Sequence, residues 1–548
     1  MPRYSPRTVL ETHEVTNQPQ EFGCRNLYTS DQALREAVKR EAGDWLDQRL
    51  VKLGEAVGSE EVLDLGEAAN RNPPELVTFD RYGRRVDEAR FHPSYHRLMS
   101  LAMEHQIHDI AWTEEGPGRH LGHLAMVALF TQAEAGVMCP INMTYASVAA
   151  LRMHPSVGQA WVNKLVGGRY DPDLRPMELK TGVTIGMAMT EKQGGSDVRA
   201  NSTRAWHLSG TVDRYRLMGH KWFCSAPMSD GFLTLAHTAS GLSCFLVPRI
   251  IDGERNAINV MRLKDKMGNK SNASSEIEYH GAVGFLLGEE GRGVNVIIDM
   301  VHHTRLGCMA GTLGIMRMAL AQAIHHASGR RAFQKTLIDQ PLMRRTLADL
   351  SIEYEAAVVM CCRVARAFDA DQGLERSFAR LGVALGKYWL TKRNPNFVFE
   401  CMEAHGGAGY VEETPMPRLF RESPLNAIWE GSGNVIVLDV LRTMQKDSEA
   451  ITSYVEEIFR AKGRFSALDH AIDDVVSILS GRIDESEGRL IVERMTLVLQ
   501  GALLARHTPA HVAEAFCATR LNPEWGRMYG AVPKSVNIDA VLARQGVG

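Results

Sequence analysis

Nowhere in its 548 residues does the chain reach ~20 uninterrupted apolar residues, so hydropathy predicts no membrane-spanning helix. Its opening, Met1-Pro-Arg-Tyr-Ser-Pro-Arg-Thr, enters charged sequence without an apolar leader core, which predicts a cytoplasmic protein. Cysteine is scarce: the nine present are an odd number, form no C-x-x-C pair and join no His/Cys grouping at zinc spacing. Free thiols and no metal centre are therefore expected. A basic surplus is missing too, since 62 Lys and Arg face 65 Asp and Glu for a net charge of −3, so the overall charge advertises no polyanion partner. The chain also lacks a P-loop, a G-x-G-x-x-G turn after a strand and any internal repeat; a nucleotide cofactor would need another architecture.

What is present is an ordinary globular composition, 45% hydrophobic and 23% charged. The length allows three or four domains of ~150 residues, each with a real core. Residues 1–40 are read as an N-terminal arm; the stretch from Glu14 to about Leu27 has no apolar periodicity and suits an extended segment laid on another surface. Residues 41–180 read as an N-terminal helical domain. In 181–288 the texture changes to short runs rich in β-branched and aromatic residues, punctuated by Gly, Asn and Asp. With no amphipathic helices between them, these predict an antiparallel barrel or sandwich. Residues 289–444 return to apolar spacing of three and four, predicting a helical bundle with helices at Val294 to His303, Met309 to His326, Pro341 to Asp369 and Leu374 to Lys392. Residues 445–548 read as an appended C-terminal helical domain, broken around Gly481 to Glu485 and at Asn522-Pro523.

The chemistry concentrates in four runs. Met187-Ala-Met-Thr-Glu-Lys-Gln-Gly-Gly-Ser-Asp197 places paired glycines and short polar side chains just after a strand, and alone it is a turn able to hold an anion. Gly219-His-Lys-Trp-Phe-Cys-Ser225 follows, and later Ala404-His-Gly-Gly-Ala-Gly-Tyr410 and Ile428-Trp-Glu-Gly-Ser-Gly-Asn434. Together, and in this order, the runs resemble the acyl-CoA dehydrogenase family of flavoproteins across roughly residues 90 to 445. Asn26-Leu-Tyr, Arg71-Asn-Pro-Pro-Glu-Leu, Phe91-His-Pro, Glu134-Ala-Gly and Leu263-Lys-Asp-Lys-Met-Gly-Asn extend the likeness to the bacterial alkylation-response (AidB-type) branch. The resemblance implies a mainly α protein with a central β domain: helical domain, antiparallel β-barrel or sandwich, helical bundle, then the C-terminal helical domain.

That resemblance also implies FAD, an acyl-CoA substrate and a homotetramer whose FAD sites are shared between subunits. By position, Met189 and Thr190 would face the flavin, Gly195 and Ser196 would hold its pyrophosphate, and Ser225 would bond near flavin N5. Phe223 takes the place of the usual aromatic, with Trp222 one position early. Arg330, Phe333, Gly406 and Gly407 would reach the FAD of a neighbouring subunit, although Gln334 replaces a glycine of that block and Pro341 stands where its glutamine falls, Gln340 coming one residue early. Ser432 and Asn434 would complete the flavin contacts. The α-proton of a thioester needs a carboxylate base in a dry pocket, and Glu430 occupies the position where most of the family keeps it. Some branches place the base before the arginine of the D-x-x-R block; here that residue is Thr304, which cannot serve. Arg305 would orient substrate or stabilise an interface.

His302-His303 and His325-His326 tempt a metal reading, but adjacent histidines diverge on a helix and no carboxylate stands at ligand spacing, so packed or solvated side chains are expected. Cys361-Cys362 is read as buried helix surface. AidB-type proteins are associated with double-stranded DNA through a basic C-terminal face. Here residues 445–548 carry 12 Lys and Arg against 14 Asp and Glu, with local clusters only at Arg460, Lys462, Arg464 and at Arg489, Arg494. The functional reading is α,β-dehydrogenation of a short or branched acyl-CoA. The alternatives are a DNA-associated flavoprotein protecting against alkylation damage with weak or vestigial dehydrogenase activity, and an oxidase, which differs in how oxygen reaches reduced flavin.

Overall fold

A computed structural model describes residues 6–522 and 526–547. Pro523, half of the expected C-terminal break, lies outside the described residues. Residues 6–27 form neither helix nor extended strand, and the first helix, Gln32–Ala42, starts at Asp31, whose carboxylate accepts from the Leu34 N–H at 3.1 Å. This capping satisfies an N–H that the helix itself leaves unpaired. Helices Asp47–Val57, Glu60–Arg71, Pro93–Glu104, Arg119–Ala133, Met138–Arg152 and Pro155–Leu165 follow. Between the third and fourth of the molecule's helices lies a hairpin, Glu75–Phe79 with Arg85–Arg90, that apolar periodicity alone did not reveal.

The central domain is a seven-stranded sheet in which Ser274–Leu287 pairs with Ile258–Leu263, Gly241–Pro248 and Arg214–Ser225, closing the strands on themselves as a barrel. It is mixed instead of wholly antiparallel, because Ile185–Ala188 runs parallel to Gly231–Thr238. That short strand enters from the helical domain and fills the gap between Gly231–Thr238 and Arg214–Ser225, so its direction is set by where the chain arrives.

The bundle that follows is built on one 37-residue helix, Gly293–Gly329, where sequence periodicity had suggested two. No proline interrupts it, and its internal glycines serve close packing. A Cβ on Gly314 would lie 2.4 Å from the Ala128 carbonyl oxygen, so only glycine lets helix Arg119–Ala133 approach this closely. The helix is long and apolar enough to span a membrane by length and composition, yet 83% of its most apolar window is buried inside the protein. Helix Pro341–Ala367 packs against it, as does Gly373–Glu403, which continues through Pro395 to eleven residues beyond the expected Lys392. Helices Ser448–Phe459, Ser466–Ser480, Gly488–His507, Ala510–Arg520 and Ile538–Ala543 complete the chain and share the bundle's hydrophobic core.

Candidate active site

The turn after strand Ile185–Ala188 is organised around a carboxylate. Glu191, fully buried, accepts from the Ser202 N–H at 2.6 Å, the Ser202 hydroxyl at 2.9 Å and the Thr203 N–H at 3.2 Å. Lys221 Nζ, equally buried on strand Arg214–Ser225, donates to Glu191 at 2.8 Å and to the Leu235 carbonyl at 2.7 Å. Burial alone would push the Glu191 carboxyl up, but the lysine and the surrounding donors hold it at about 2. The Glu and Lys of two separate sequence runs thus form one buried ion pair, a partnership that sequence reasoning missed. The only signal available was a lysine at an inward-facing strand position, two residues on from Gly219 and four from buried Leu217.

The pair fixes the turn's rim. The Trp222 N–H donates to the Thr190 carbonyl at 2.7 Å, and Asn201 donates to the Met189 carbonyl at 2.9 Å. Gly195 and Ser196 are exposed at the tip, and a Cβ on Gly195 would sit 3.0 Å from Thr190 Cγ2, filling the space beside that hydroxyl. This bare backbone next to a hydroxyl suits a phosphate group, so these residues fit the FAD role assigned to them. Phe223 is 48% exposed on the outer face of its strand, while the neighbouring Trp222 ring is capped by Lys264 Nζ at 3.2 Å. Ser225, at the strand's end, registers opposite Met187 and bonds with the buried Cys139 thiol, which burial pushes up to about 12.

The charge of Glu430 also helps to push the Cys139 thiol up. Glu430 adopts a left-handed backbone, φ 58°, followed by Gly431 at φ 100°, so the carboxylate is presented by a sharp reversal before helix Gly433–Lys446. Thr304, on the long bundle helix, donates its hydroxyl to Glu430 Oε2 at 2.7 Å, and Arg305 Nε donates to the Glu430 carbonyl at 3.1 Å. Arg305 is itself buried and paired with Asp439 at 2.5 Å, while Lys387 Nζ donates to the Gly431 carbonyl. Burial raises the Glu430 carboxyl above its ordinary value, opposed by the Thr304 hydrogen bond and by the charges of Lys387 and Arg305. Lys387 and Asp439 were not in the sequence-derived site, because their partners are remote in the chain and nothing local marks them; Thr304 was marked by its place before Arg305 but set aside as unable to act as a base.

Arg305 therefore donates from guanidinium Nε to the Glu430 backbone carbonyl and from Nη1 to Asp439, a positioning arrangement. Ser432 is the N-cap position of helix Gly433–Lys446, and Asn434 accepts from Arg489 Nε at 2.8 Å. Arg330, Phe333, Gly406 and Gly407 are not brought to this cluster. Arg330 follows the far end of the long helix, 25 residues or about 37 Å from Arg305. Gly406 joins it there, because His405 packs on His326 with ring centroids 4.7 Å apart. Arg330 Nη1 donates to the Asn17 carbonyl at 2.7 Å, and the Asn17 side chain bonds both the N–H and the carbonyl of Arg331, so the arm lies across this block. Phe333 is 94% exposed in a left-handed conformation, φ 49°, and no atom lies within 4 Å of a Cβ placed on Gly406 or Gly407.

The remaining candidates are structural. His303 packs among Trp112, His120, Tyr145 and Phe368, and no group of three or more His, Cys, Asp or Glu suited to a metal ion occurs among the described residues. Cys361 and Cys362 are buried. Arg460 pairs with Glu457 at 3.0 Å, Lys462 pairs with Asp473, and Arg464 donates to the Ala505 carbonyl at 3.0 Å, so this basic cluster is largely spent on internal contacts.

Comparison with known proteins agrees with this architecture segment by segment. Residues 17–172 match the adaptive response protein AidB N-terminal domain, 186–282 the acyl-CoA dehydrogenase middle domain and 291–445 the acyl-CoA dehydrogenase C-terminal domain. The chain is 44% identical to the AidB protein of Escherichia coli (strain K12) over 521 residues, covering 94% of this chain and 96% of that one. It is 30% identical to acyl-CoA dehydrogenase family member 11 of Caenorhabditis elegans over 85% of this chain and 77% of that protein. Among solved structures, Caenorhabditis elegans ACDH-11 in complex with C11-CoA superposes with a TM-score of 0.85 at 26% identity, covering 98% of this chain and 97% of that one.

Proposed function

We propose, from the premise that this chain belongs to the acyl-CoA dehydrogenase family and is of the AidB type, that it oxidises an acyl-CoA thioester at its α,β-carbons with Glu430 as the base. The observation that carries the reading is the Glu430 carboxyl, raised by burial, accepting from Thr304 and presented by a rigid reversed backbone beside the strand end that bears Ser225. A carboxylate whose affinity for a proton is raised by burial is a stronger base toward a weakly acidic proton.

FAD is the cofactor this reading implies, with Met189, Thr190, Gly195, Ser196 and Ser225 as the residues that would hold it. When bound it supplies the acceptor for hydride from the β-carbon. Glu430 takes the α-proton onto its carboxylate. Thr304 keeps that carboxylate oriented, Arg305 and Lys387 tie down the backbone on either side of it, and Arg305 is in turn aligned by Asp439.

The substrate class is a CoA thioester, short or branched in our reading; the likeness to a protein solved with C11-CoA supports a CoA thioester and argues for testing longer chains beside the short ones. A homo-oligomer, with tetramer as the family expectation, accounts for Arg330, Phe333, Gly406 and Gly407 lying far from Glu430, available to a second copy. Cytoplasmic location completes the proposal. A second reading, association with duplex DNA, is favoured by the match to the adaptive response protein AidB N-terminal domain. Binding without a steep salt dependence would sink it.

The test is an anaerobic titration of the purified flavoprotein with acyl-CoAs from butyryl- to lauroyl-CoA and their branched isomers, following flavin absorbance, beside Glu430→Gln. Bleaching in the parent that the variant loses supports the proposal. A flavin that stays oxidised against every thioester overturns it.

A further inference from the structure

A cavity of about 320 Å³, remote from Glu430, opens where three parts of the chain meet. Helix Gln32–Ala42 contributes Arg40, helix Pro341–Ala367 contributes Arg363 and Arg366, and the C-terminal helices contribute Arg460, Arg506 and His507. Three carboxylates, Glu41, Glu375 and Glu457, share the lining, and Asp369 pairs with Arg366 at 2.8 Å, so the five guanidiniums outnumber their carboxylates by one. Glu375 lies twelve residues before Lys387 on helix Gly373–Glu403, about 18 Å along its axis, which separates this cavity from the Glu430 site.

The positive excess is concentrated. Glu457 is buried and serves three arginines at once: Arg363 at 3.0 Å, Arg460 at 3.0 Å and Arg506 at 2.5 Å. Glu375 takes Arg363 in a two-pronged pair at 2.7 and 2.9 Å, which leaves Arg460 and Arg506 sharing the single charge of Glu457 and one positive charge unbalanced. Arg40 bonds Glu41 only through Nε at 2.9 Å, and its Nη2 is buried with no hydrogen-bond partner among the described residues. A buried guanidinium nitrogen without an acceptor is costly, and an anion in the cavity would satisfy it. His507 beside it is held down to about 4 by burial and by the charges of Arg40 and Arg506, so the imidazole is neutral and adds no counter-charge of its own.

We propose that this cavity is a binding site for a small phosphate compound, a phosphomonoester or pyrophosphate, clamped between the first helix, the bundle and the C-terminal helices. An anion would balance the guanidinium left without a carboxylate of its own, planar guanidiniums recognise phosphate oxygens by paired hydrogen bonds, and the volume lies at the lower end of small-ligand pockets. A concave pocket of this size admits a small molecule and excludes the cylinder of a DNA duplex. Binding would tie the three parts together and stabilise the folded protein by mass action.

The experiment is calorimetric titration of the full-length, flavin-loaded protein with sodium pyrophosphate at constant ionic strength, with a parallel thermal-unfolding series. Two variants are used: Arg40→Gln, which removes the unpartnered nitrogen, and Arg460→Gln, which gives up one of the three Glu457 contacts but leaves Arg363 and Arg506 on that carboxylate and has a half-exposed side chain. The parent should bind with saturation and unfold at higher temperature with pyrophosphate. Each variant should bind roughly tenfold or more weakly, as expected for loss of a charge-assisted hydrogen bond, with unchanged flavin content and circular dichroism. Absence of saturable binding in the parent overturns the proposal, as does undiminished binding in both variants. Binding of a duplex oligonucleotide that both substitutions abolish, with none of pyrophosphate, also overturns it and makes the cavity part of a nucleic-acid surface.

Discussion

Thr304 and Glu430 are 126 residues apart in sequence and 2.7 Å apart in space, the threonine hydroxyl donating to the carboxylate. The sequence reading set Thr304 aside because it cannot be a base; the structure makes it the group that favours the ionised form of the base against burial. Thr304→Val should therefore raise the Glu430 pKa further. The acid limb of kcat/KM for an acyl-CoA should move to higher pH by up to about one unit, the equivalent of a hydrogen bond worth ~1 kcal/mol, with little change above the limb. A limb that stays in place would remove Thr304 from the ionisation of Glu430.

The Glu191–Lys221 pair predicts a strongly non-additive response. Lys221→Met leaves a buried carboxylate without its counter-ion and should cost about 3–5 kcal/mol, read by denaturant unfolding, together with loss of flavin as the Met189–Asp197 turn loosens. The double variant Lys221→Met/Glu191→Leu should recover a large part of that stability, because no charge remains buried. Stability falling by the sum of the two single effects would mean that the pair acts as two independent groups.

Glu422 gives the fold a pH dependence opposite to that of a salt-bridged carboxylate. Burial and the neighbouring Glu134 raise its carboxyl to about 7, while the Asn269 N–H donates to it at 2.7 Å. The folded protein keeps this proton where an unfolded glutamate has lost it, so the contribution is fully present below the ordinary value of 4.5 and is lost as pH rises through about 7. Glu422→Gln retains a carbonyl for Asn269 and should flatten this decline, gaining at most roughly 3 kcal/mol at pH 8 relative to pH 4. Unfolding curves with the same pH slope in parent and variant would discard the assignment.

Asn17 anchors the N-terminal arm through three hydrogen bonds to Arg330 and Arg331. Two of these use its side chain, so Asn17→Ala should release the arm and speed proteolysis within residues 6–27 severalfold, with little effect on global unfolding. Cleavage at the parent rate would show that Phe22, packed edge-on to His325 at 5.3 Å, holds the arm without help.

Sequence alone determined what depends on neighbours along the chain. Apolar spacing set the helical segments, and β-branched runs between Gly and Asn set the central strands. These signals repeat every two to four residues, so they can be read without knowing the fold, whereas Glu430 stood out only through the likeness of Trp429-Glu-Gly-Ser to a family motif. Tertiary structure decided everything that rests on distant partners. It fused two expected helices into Gly293–Gly329, because Gly307 in the expected break packs against Asn142 of helix Met138–Arg152 instead of ending its own helix. It joined Glu191 to Lys221 and Thr304 to Glu430, spent Arg460, Lys462 and Arg464 on internal contacts, and left Arg40 Nη2 buried without an acceptor. A charge in the sequence has only a sign; burial and the partners supplied by other elements determine whether it stabilises, titrates or waits for a ligand.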